Sequence, residues 1–220
     1  MSAFSNSPRL LKGGIVTIDP NTSTVQSVIA LQYNPDSLSR NLQIQAVQGA
    51  QDGVRVDALR LRGPAVETIK LEAELDATDQ LEFPDQNPTA TQFGLNPQLA
   101  QLEMLVNPTV ATLLVDDALA DAGTLEIIPI EQPLTLFVWS SSRVIPVRLT
   151  EFSITEEAFD PSLNPIRAKV SLGLRVLSID DLGFKHAGSR LFLTYLSNKE
   201  QLAARATNAA FTALGLRGLS

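Results

Sequence analysis

Cysteine is absent from this chain of 220 residues, and His186 is its single histidine. Without cysteine there is no disulfide framework and no thiolate chemistry. The same inventory excludes the tetrahedral nitrogen and sulfur sites that zinc prefers. A serine triad would depend on His186, which lies in a predicted loop, and the sequence contains no G-x-S-x-G elbow and no glycine-rich phosphate loop. We therefore expect no catalytic residue, no metal and no cofactor.

Long apolar runs are also missing. No stretch of about 18 apolar residues could span a membrane, and the first residues, MSAFSNSPRLLKGG, lack the apolar core of a signal peptide. Only 5% of the residues are aromatic and no basic cluster occurs, so we do not expect nucleic acid as a partner. The sequence favours a soluble protein made in the cytoplasm, with no membrane contact.

Basic residues are missing from one long internal stretch. There is no lysine or arginine between Lys70 and Arg143, although this stretch holds 12 of the 24 acidic side chains. Two interpretations remain open. The charges either only solvate the surface, or an acidic face of one copy meets a basic face of the next and sets its orientation.

The segment FDPSLNPIRAKVSLGLRV (residues 159–176) carries the clearest pattern. Pro161 and Pro165, set among aspartate, serine and asparagine, predict a turn. From Ile166 to Val176 every second residue is apolar, which predicts an antiparallel strand with its even-numbered side chains in a core. The opposite face is basic, and the sequence leaves open what that face contacts.

Other segments repeat the strand pattern. They are VIALQY (28–33), LQIQAVQ (42–48), IKLEAEL (69–75), LEIIPI (125–130), LTLFVW (134–139) and VIPVRLTEFSIT (144–155). In the last, the inward phase changes between Leu149 and Phe152, which predicts a β-bulge near Thr150 and Glu151.

Two helices are predicted. One covers LNPQLAQLEMLV (95–106), with Asn96 as N-cap, Pro97 at the first helical position, and an end at Asn107-Pro108. The other is a long C-terminal helix from near Ser189, which stops at Gly215. Residues 78–94 are predicted to form the longest loop.

Two weaker functional patterns have stronger structural explanations. The acid-rich run EAELDATDQLE could suggest a calcium loop or paired catalytic carboxylates, but Glu72 and Glu74 fall on the water-facing side of a strand, and the spacing does not match an EF-hand. Phe137 and Trp139 could form a sugar-stacking platform, although aromatic residues in β domains more often pack internally.

Four segments, taken in order, resemble the tube-like N-terminal domain of baseplate hub proteins in contractile injection systems and contractile phage tails. They are QYNPDSLSR (32–40), LEAELDATD (71–79), PLTLFVWSS (133–141) and the long run of residues 149–176. The likeness covers about residues 12–178. Ser140 departs from it, because family members often have glycine after the tryptophan.

The resemblance implies a mainly β fold with α, namely a tube-protein-like antiparallel β-barrel or sandwich with one short helix. To this the chain adds the long C-terminal helix. We expect a tube-like β domain over residues 1–180 and a helical extension over 181–220. Hub relatives often carry a LysM domain after the tube-like part. Here Val176 is followed by a loop around His186 and the alanine-rich helix, so the peptidoglycan or protein contacts of LysM are not carried over to this chain.

The resemblance also implies a structural role rather than an enzymatic one. The expected assembly is a homo-hexameric ring at the baseplate, in contact with the inner tube protein, the spike protein and baseplate or sheath proteins. The basic strand face of Arg167, Lys169 and Arg175 would meet a neighbour's acidic surface or line the channel. The C-terminal helix would dock on a neighbour through the side chains of Phe192, Tyr195, Leu196 and Phe211.

Two alternatives stay open. One is the main inner tube protein of the same machine. The other, from a different class, is a β-sandwich carbohydrate-binding module that uses Phe137 and Trp139.

Overall fold

Seven antiparallel strands form one sheet in the computed structural model of the chain, which describes residues 11–46, 60–121, 132–207 and 211–214. The strands are β1 (Gly14–Ile18), β2 (Val25–Ala30), β3 (Leu38–Gln43), β4 (Val66–Asp76), β5 (Leu134–Ser140), β6 (Arg143–Phe159) and β7 (Pro165–Val176). Their order in the sheet is β2-β1-β5-β6-β7-β4-β3. The predicted mainly β class is confirmed. The barrel alternative is not found: over the described residues the sheet is open, and β2 and β3 are its two edges.

Strand β7 has the predicted alternation. Ala168, Val170, Leu172, Leu174 and Val176 are all at most 3% exposed. The turn before it is fixed by Asp160, whose carboxylate accepts the backbone N–H groups of Ser162 and Asn164 at 2.8 Å each. This Asx geometry forms the reversal locally, and Asn96 of a neighbouring helix adds a hydrogen bond to Asn164 at 3.2 Å.

The predicted bulge is also confirmed. In the β6–β7 pairing the register shifts between Leu149 and Glu151. One extra residue in β6 restores the inward phase of Phe152 and Ile154, which pair with Leu172 and Val170 of β7. The bulge thereby keeps β6 in contact with the core from Ile145 to Ile154.

Two strand predictions need revision, and a third is not tested. β2 is Val25–Ala30, earlier than the predicted residues 28–33, and β3 is Leu38–Gln43, earlier than 42–48. Both are edge strands with mostly exposed side chains, so the apolar pattern that places an internal strand is weak in them. The predicted strand over residues 125–130 lies outside the described residues.

The predicted loop over residues 78–94 is wrong. The segment forms helix α1 (Thr78–Leu81), a 3₁₀ turn (Pro84–Gln86) and helix α2 (Pro88–Phe93). Proline stands at the start of the last two, where its missing N–H removes no helical hydrogen bond. The turn composition of this segment therefore indicated helix starts rather than an extended loop.

Helix α3 (Asn96–Glu103) follows the prediction closely, with Leu95 rather than Asn96 at the N-cap and an end at Glu103. A helix that the sequence did not lead us to expect, α4 (Val110–Asp121), comes next. Its start signal is Thr109, whose hydroxyl accepts the N–H of Thr112 at 3.2 Å. The expectation of one short helix was therefore too low.

Helices α5 (Ile179–Leu182) and α6 (Ala187–Ala204) follow β7. The prediction that α6 runs on to Gly215 is wrong, because it ends at Ala204 and a separate 3₁₀ turn covers Phe211–Leu214. All described side chains from residues 201 to 207 are exposed, so no packing contact stabilises a continuation of the helix there. No helix within the described ranges has the length and apolarity that a membrane span needs.

The main core lies between one face of the sheet and helices α3 and α6. Leu99 and Leu102 of α3, and Phe192 and Tyr195 of α6, are buried in the same cluster as the β4 and β7 side chains. A smaller cluster of Ile18, Leu134 and Leu136 has Leu182 and Leu191 packed against it. Helix α6 therefore shares its core with the sheet. The division at residue 180 stays a prediction.

Candidate functional site

The basic face of β7 contacts acidic side chains of the same chain. Arg167 pairs with Asp76 at 3.0 Å, Lys169 with Glu157 at 3.5 Å and Arg175 with Asp181 at 2.7 Å. The acids lie on the two neighbouring strands, β4 and β6, and on helix α5, which follows β7. Within one subunit, acids of the same chain therefore face the basic side, and the contact of this face with a neighbour stays a prediction.

The charge segregation in the sequence becomes interleaving in the fold. Antiparallel pairing sets Glu74 opposite Lys169 and Asp76 opposite Arg167, so acids of the base-free stretch alternate with the bases of β7. At the centre of this surface Lys70 reaches Glu151 of β6 at 2.7 Å. The surface of the sheet is thus mixed in sign. Because every partner keeps contact with solvent, each pair contributes only about 0–1 kcal/mol.

One carboxylate on this surface is held more firmly. Partial burial opposes ionisation of Asp76, but the hydroxyl and N–H of Thr78 and the guanidinium of Arg167 donate to it. These donors hold the pKa of Asp76 below its ordinary value. The carboxylate caps the turn that begins α1 and also anchors the β7 arginine.

The second polar centre is buried and was not foreseen. Glu67 of β4 is 3% exposed, and its carboxylate receives Arg40 Nε at 2.6 Å, Lys199 Nζ at 2.8 Å and the Tyr195 hydroxyl at 3.0 Å. Arg40 also donates to the Tyr195 oxygen at 3.1 Å, and the Lys199 ammonium lies 4.1 Å from the centre of the Tyr195 ring. We call these four residues the Glu67 cluster. It ties β3, β4 and α6 together.

The electrostatics of the Glu67 cluster are those of a satisfied ion network. Burial raises the pKa of Glu67, but the two cations more than offset it, so the pKa lies below the ordinary glutamate value. Burial raises the pKa of the Tyr195 hydroxyl, and the contact with Lys199, which acts in the opposite direction, does not cancel this effect. The carboxylate is therefore ionised and fully paired, which suits a structural clamp and leaves it no free proton to transfer.

A sequence signal for the Glu67 cluster existed. Glu67 is in phase with the buried Ile69, Leu71 and Ala73, so the alternation already placed a carboxylate on the core face of β4. A buried carboxylate requires cationic or hydrogen-bonding partners. The sequence could not identify those partners, because Lys199 is 132 positions away.

The residues proposed as an interface on the C-terminal helix have different surroundings. Phe192 and Tyr195 are buried within the chain at 5% and 3% exposure, and Leu196 packs against the same core. The side chain of Phe211 lies outside what the structure describes. The core therefore already uses three of these four side chains, and a partner contact of α6 would have to use its outer surface.

The Q-Y-N-P motif has a structural role. The Gln32 side-chain amide donates to the Asp76 carbonyl at 2.6 Å and accepts the Asp76 N–H at 2.9 Å. Asn34 accepts the Gly13 N–H at 2.9 Å and donates to the Leu11 carbonyl at 2.8 Å. Both side chains imitate backbone pairing, so they attach the turn after β2 to the end of β4 and to the segment before β1.

The remaining candidates for chemistry also have structural roles. His186 is the N-cap of α6, and its Nδ1 accepts the Gly188 N–H at 3.0 Å. Phe137 is fully buried and stacks on Trp139 at 5.8 Å between ring centres, which confirms internal packing rather than an open platform. Within the described ranges, no three His, Asp or Glu side chains converge as a metal site would need.

Comparison with known proteins adds one match. The family model described as "Contractile injection system tube protein" matches residues 14–182, from the start of β1 to the end of α5. Among curated proteins no significant match was found. The matched region includes the whole sheet and ends before α6.

Proposed function

Because the chain belongs to the contractile injection system tube protein family, we propose that it forms a hexameric ring at the baseplate hub of such a machine. In this position the ring would join the inner tube to the spike and would contact baseplate or sheath proteins. The role is structural, with no catalytic step and no cofactor. The assembled particle, rather than a membrane or nucleic acid, is its working environment.

The open sheet is the observation that supports ring formation. β2 and β3 are edge strands at opposite ends of the sheet order, and neither has a second strand partner among the described residues. Val25 and Val28 of β2 are 61% and 63% exposed, and Leu42 of β3 is 48% exposed. Open edges with exposed apolar side chains are sites where another copy can add its own strands.

The mixed-charge surface of β4, β6 and β7 suits the wall of a channel. Its ion pairs are already satisfied within each subunit, so the wall would offer alternating charge rather than one strong sign. The interface role of Arg167, Lys169 and Arg175 remains part of this proposal. Each can still contact a neighbour through its exposed donor groups.

The main inner tube protein is the second candidate, and the position of α6 favours it. A protruding C-terminal helix would obstruct the narrow space between tube and sheath at every layer. In the structure, however, α6 lies against its own core and is held by the Glu67 cluster. The family description fits this alternative at least as well.

Assembly state separates the two candidates. We would purify the chain alone, and with its spike and tube partners, and examine it by native mass spectrometry and negative-stain electron microscopy. A hub protein is expected to form single six-subunit rings, and each whole particle should then contain only six copies of the chain. Growth of long tubes by the chain alone would favour the inner tube protein. A monomer that joins no ring even beside those partners would refute both.

A further inference from the structure

Helix α4 turns its polar side toward the chain and its apolar side away from it. From Val110 to Ala120, only Thr112 and Asp116 are partly buried, one helical turn apart. Val110 and Leu114, by contrast, are 72% and 64% exposed. The exposed apolar face consists of Val110, Ala111, Leu114, Val115, Ala118 and Leu119.

This orientation is the reverse of that in a helix that covers its own core. Six small or large apolar side chains on one exposed face also exceed what isolated surface residues would produce. The face is therefore available for a contact that the described part of the chain does not make.

A groove next to the segment that precedes α4 has matching properties. It has a volume of about 390 Å³ and lies between the end of α3, strands β5 and β6, and the segment that follows β7. Its apolar lining includes Leu105, Val106, Leu134, Val147, Leu149 and Leu182. Among the described residues that line it, Arg148 and His186 have basic side chains and none is acidic.

The charges of the two surfaces are complementary. Helix α4 contains no basic residue, and Asp117 is exposed next to its apolar face, whereas Asp116 faces the chain. Arg148 at the groove is exposed, and no ion pair joins it to the part of the chain that the structure describes. A helix with an apolar face and acidic flank would therefore find in this groove both an apolar surface and an unpaired cation.

We propose that α4 of one copy docks in this groove of the next copy. In the proposed ring this contact would be heterologous, because each copy would give its helix to one neighbour and receive the helix of the other. It rests on the proposed function, because it requires that copies of the chain assemble. It does not depend on six as the number of subunits.

Disulfide trapping tests the contact directly, since the chain has no cysteine of its own. Leu114→Cys and Arg148→Cys would be purified separately, mixed and oxidised mildly. We expect a covalent adduct between the two variants and little adduct within either variant alone. The matched control is Leu113→Cys mixed with Arg148→Cys, because Leu113 is the adjacent leucine on the other side of α4.

Three results of this trapping experiment would overturn the proposal. The first is no adduct from the Leu114 pair, and the second is equal adduct from Leu113→Cys. The third is an intrachain disulfide in a monomer that carries both Leu114→Cys and Arg148→Cys, which would assign the groove to the helix of the same copy.

A second experiment measures self-association by sedimentation velocity. Leu114→Asp is expected to weaken it at least about tenfold, as loss of a central apolar contact does, and Leu113→Asp to leave it near wild type. Asp117→Arg and Arg148→Asp should each weaken association, and their combination in one chain should restore it.

The two proposals can fail separately. If Leu114→Asp forms the same rings as wild type, docking of α4 is wrong and the proposed function stands. If the adduct forms but no closed ring is seen, the ring proposal is wrong and the contact stands.

Discussion

Replacement of Glu67 by glutamine is the sharpest test of how α6 is attached to the sheet. The change keeps the size of the side chain but removes the negative charge that faces Arg40 Nε at 2.6 Å and Lys199 Nζ at 2.8 Å. Removing one partner of a buried ion pair typically costs about 3–5 kcal/mol. Both cations here are 32% exposed and can recover water, so we expect about 2–3 kcal/mol.

Thermal unfolding followed by circular dichroism would measure this loss. For a chain of this size, 1 kcal/mol corresponds to about 2–4 °C in Tm, so Glu67→Gln should lower the Tm by roughly 5–10 °C at pH 7. Hydrogen exchange should locate the effect, because the amides of α6 lose protection first if the Glu67 cluster holds the helix. Glu74→Gln, an exposed position on the same strand, is the matched control and should change the Tm by little.

The pH dependence gives an independent check. The folded pKa of Glu67 lies below its ordinary value, so its contribution is fully present above the unfolded pKa of about 4.3 and is lost as the pH falls through the folded value. The difference in Tm between wild type and Glu67→Gln should therefore shrink below about pH 4. An unchanged Tm at pH 7, or a gap that stays constant down to pH 3, would refute this account of the cluster.

Three further changes have clear expectations. Val170→Asp places an unpaired carboxylate at a fully buried position of β7 and should prevent folding, whereas the control Lys169→Asp should give a folded, soluble chain. Cooperative thermal unfolding of Val170→Asp would contradict the strand register. Gly94→Ala should lower the free energy of unfolding in urea by about 1–3 kcal/mol, because Gly94 has φ of +56° and a Cβ there would lie 2.5 Å from a β7 carbonyl oxygen. An unchanged free energy of unfolding would exclude this close approach. Truncation after Lys185 removes two aromatic side chains from the main core and should abolish the cooperative unfolding transition. A stable truncated domain would instead support the predicted boundary near residue 180.

The sequence alone was sufficient where a local pattern decides the structure. Strand β7, the hairpin turn at Asp160 and the bulge near Glu151 were all predicted, because side-chain alternation and turn chemistry act over a few residues. Helix α3 followed from its proline start and its leucine spacing. Helices α1, α2 and α5 were missed because segments of four to six residues carry little periodicity. Helix α4 was missed although it has 12 residues, because its large apolar side chains do not form a single buried stripe.

Only the tertiary structure decided what those elements contact. The basic side chains of β7 find their acids on β4, β6 and α5, and Arg167 and Asp76 are 91 positions apart in the chain. The alternation placed Glu67 on the core face, but the partners that make its burial possible come from β3 and α6. Whether the sheet closes also depends on the pairing of β2 and β3, which local patterns do not specify. The alternation of apolar and polar residues and the chemistry of turns are properties of neighbouring residues. Ion pairs, sheet closure and the outward side of α4 depend instead on which distant segments the fold brings together.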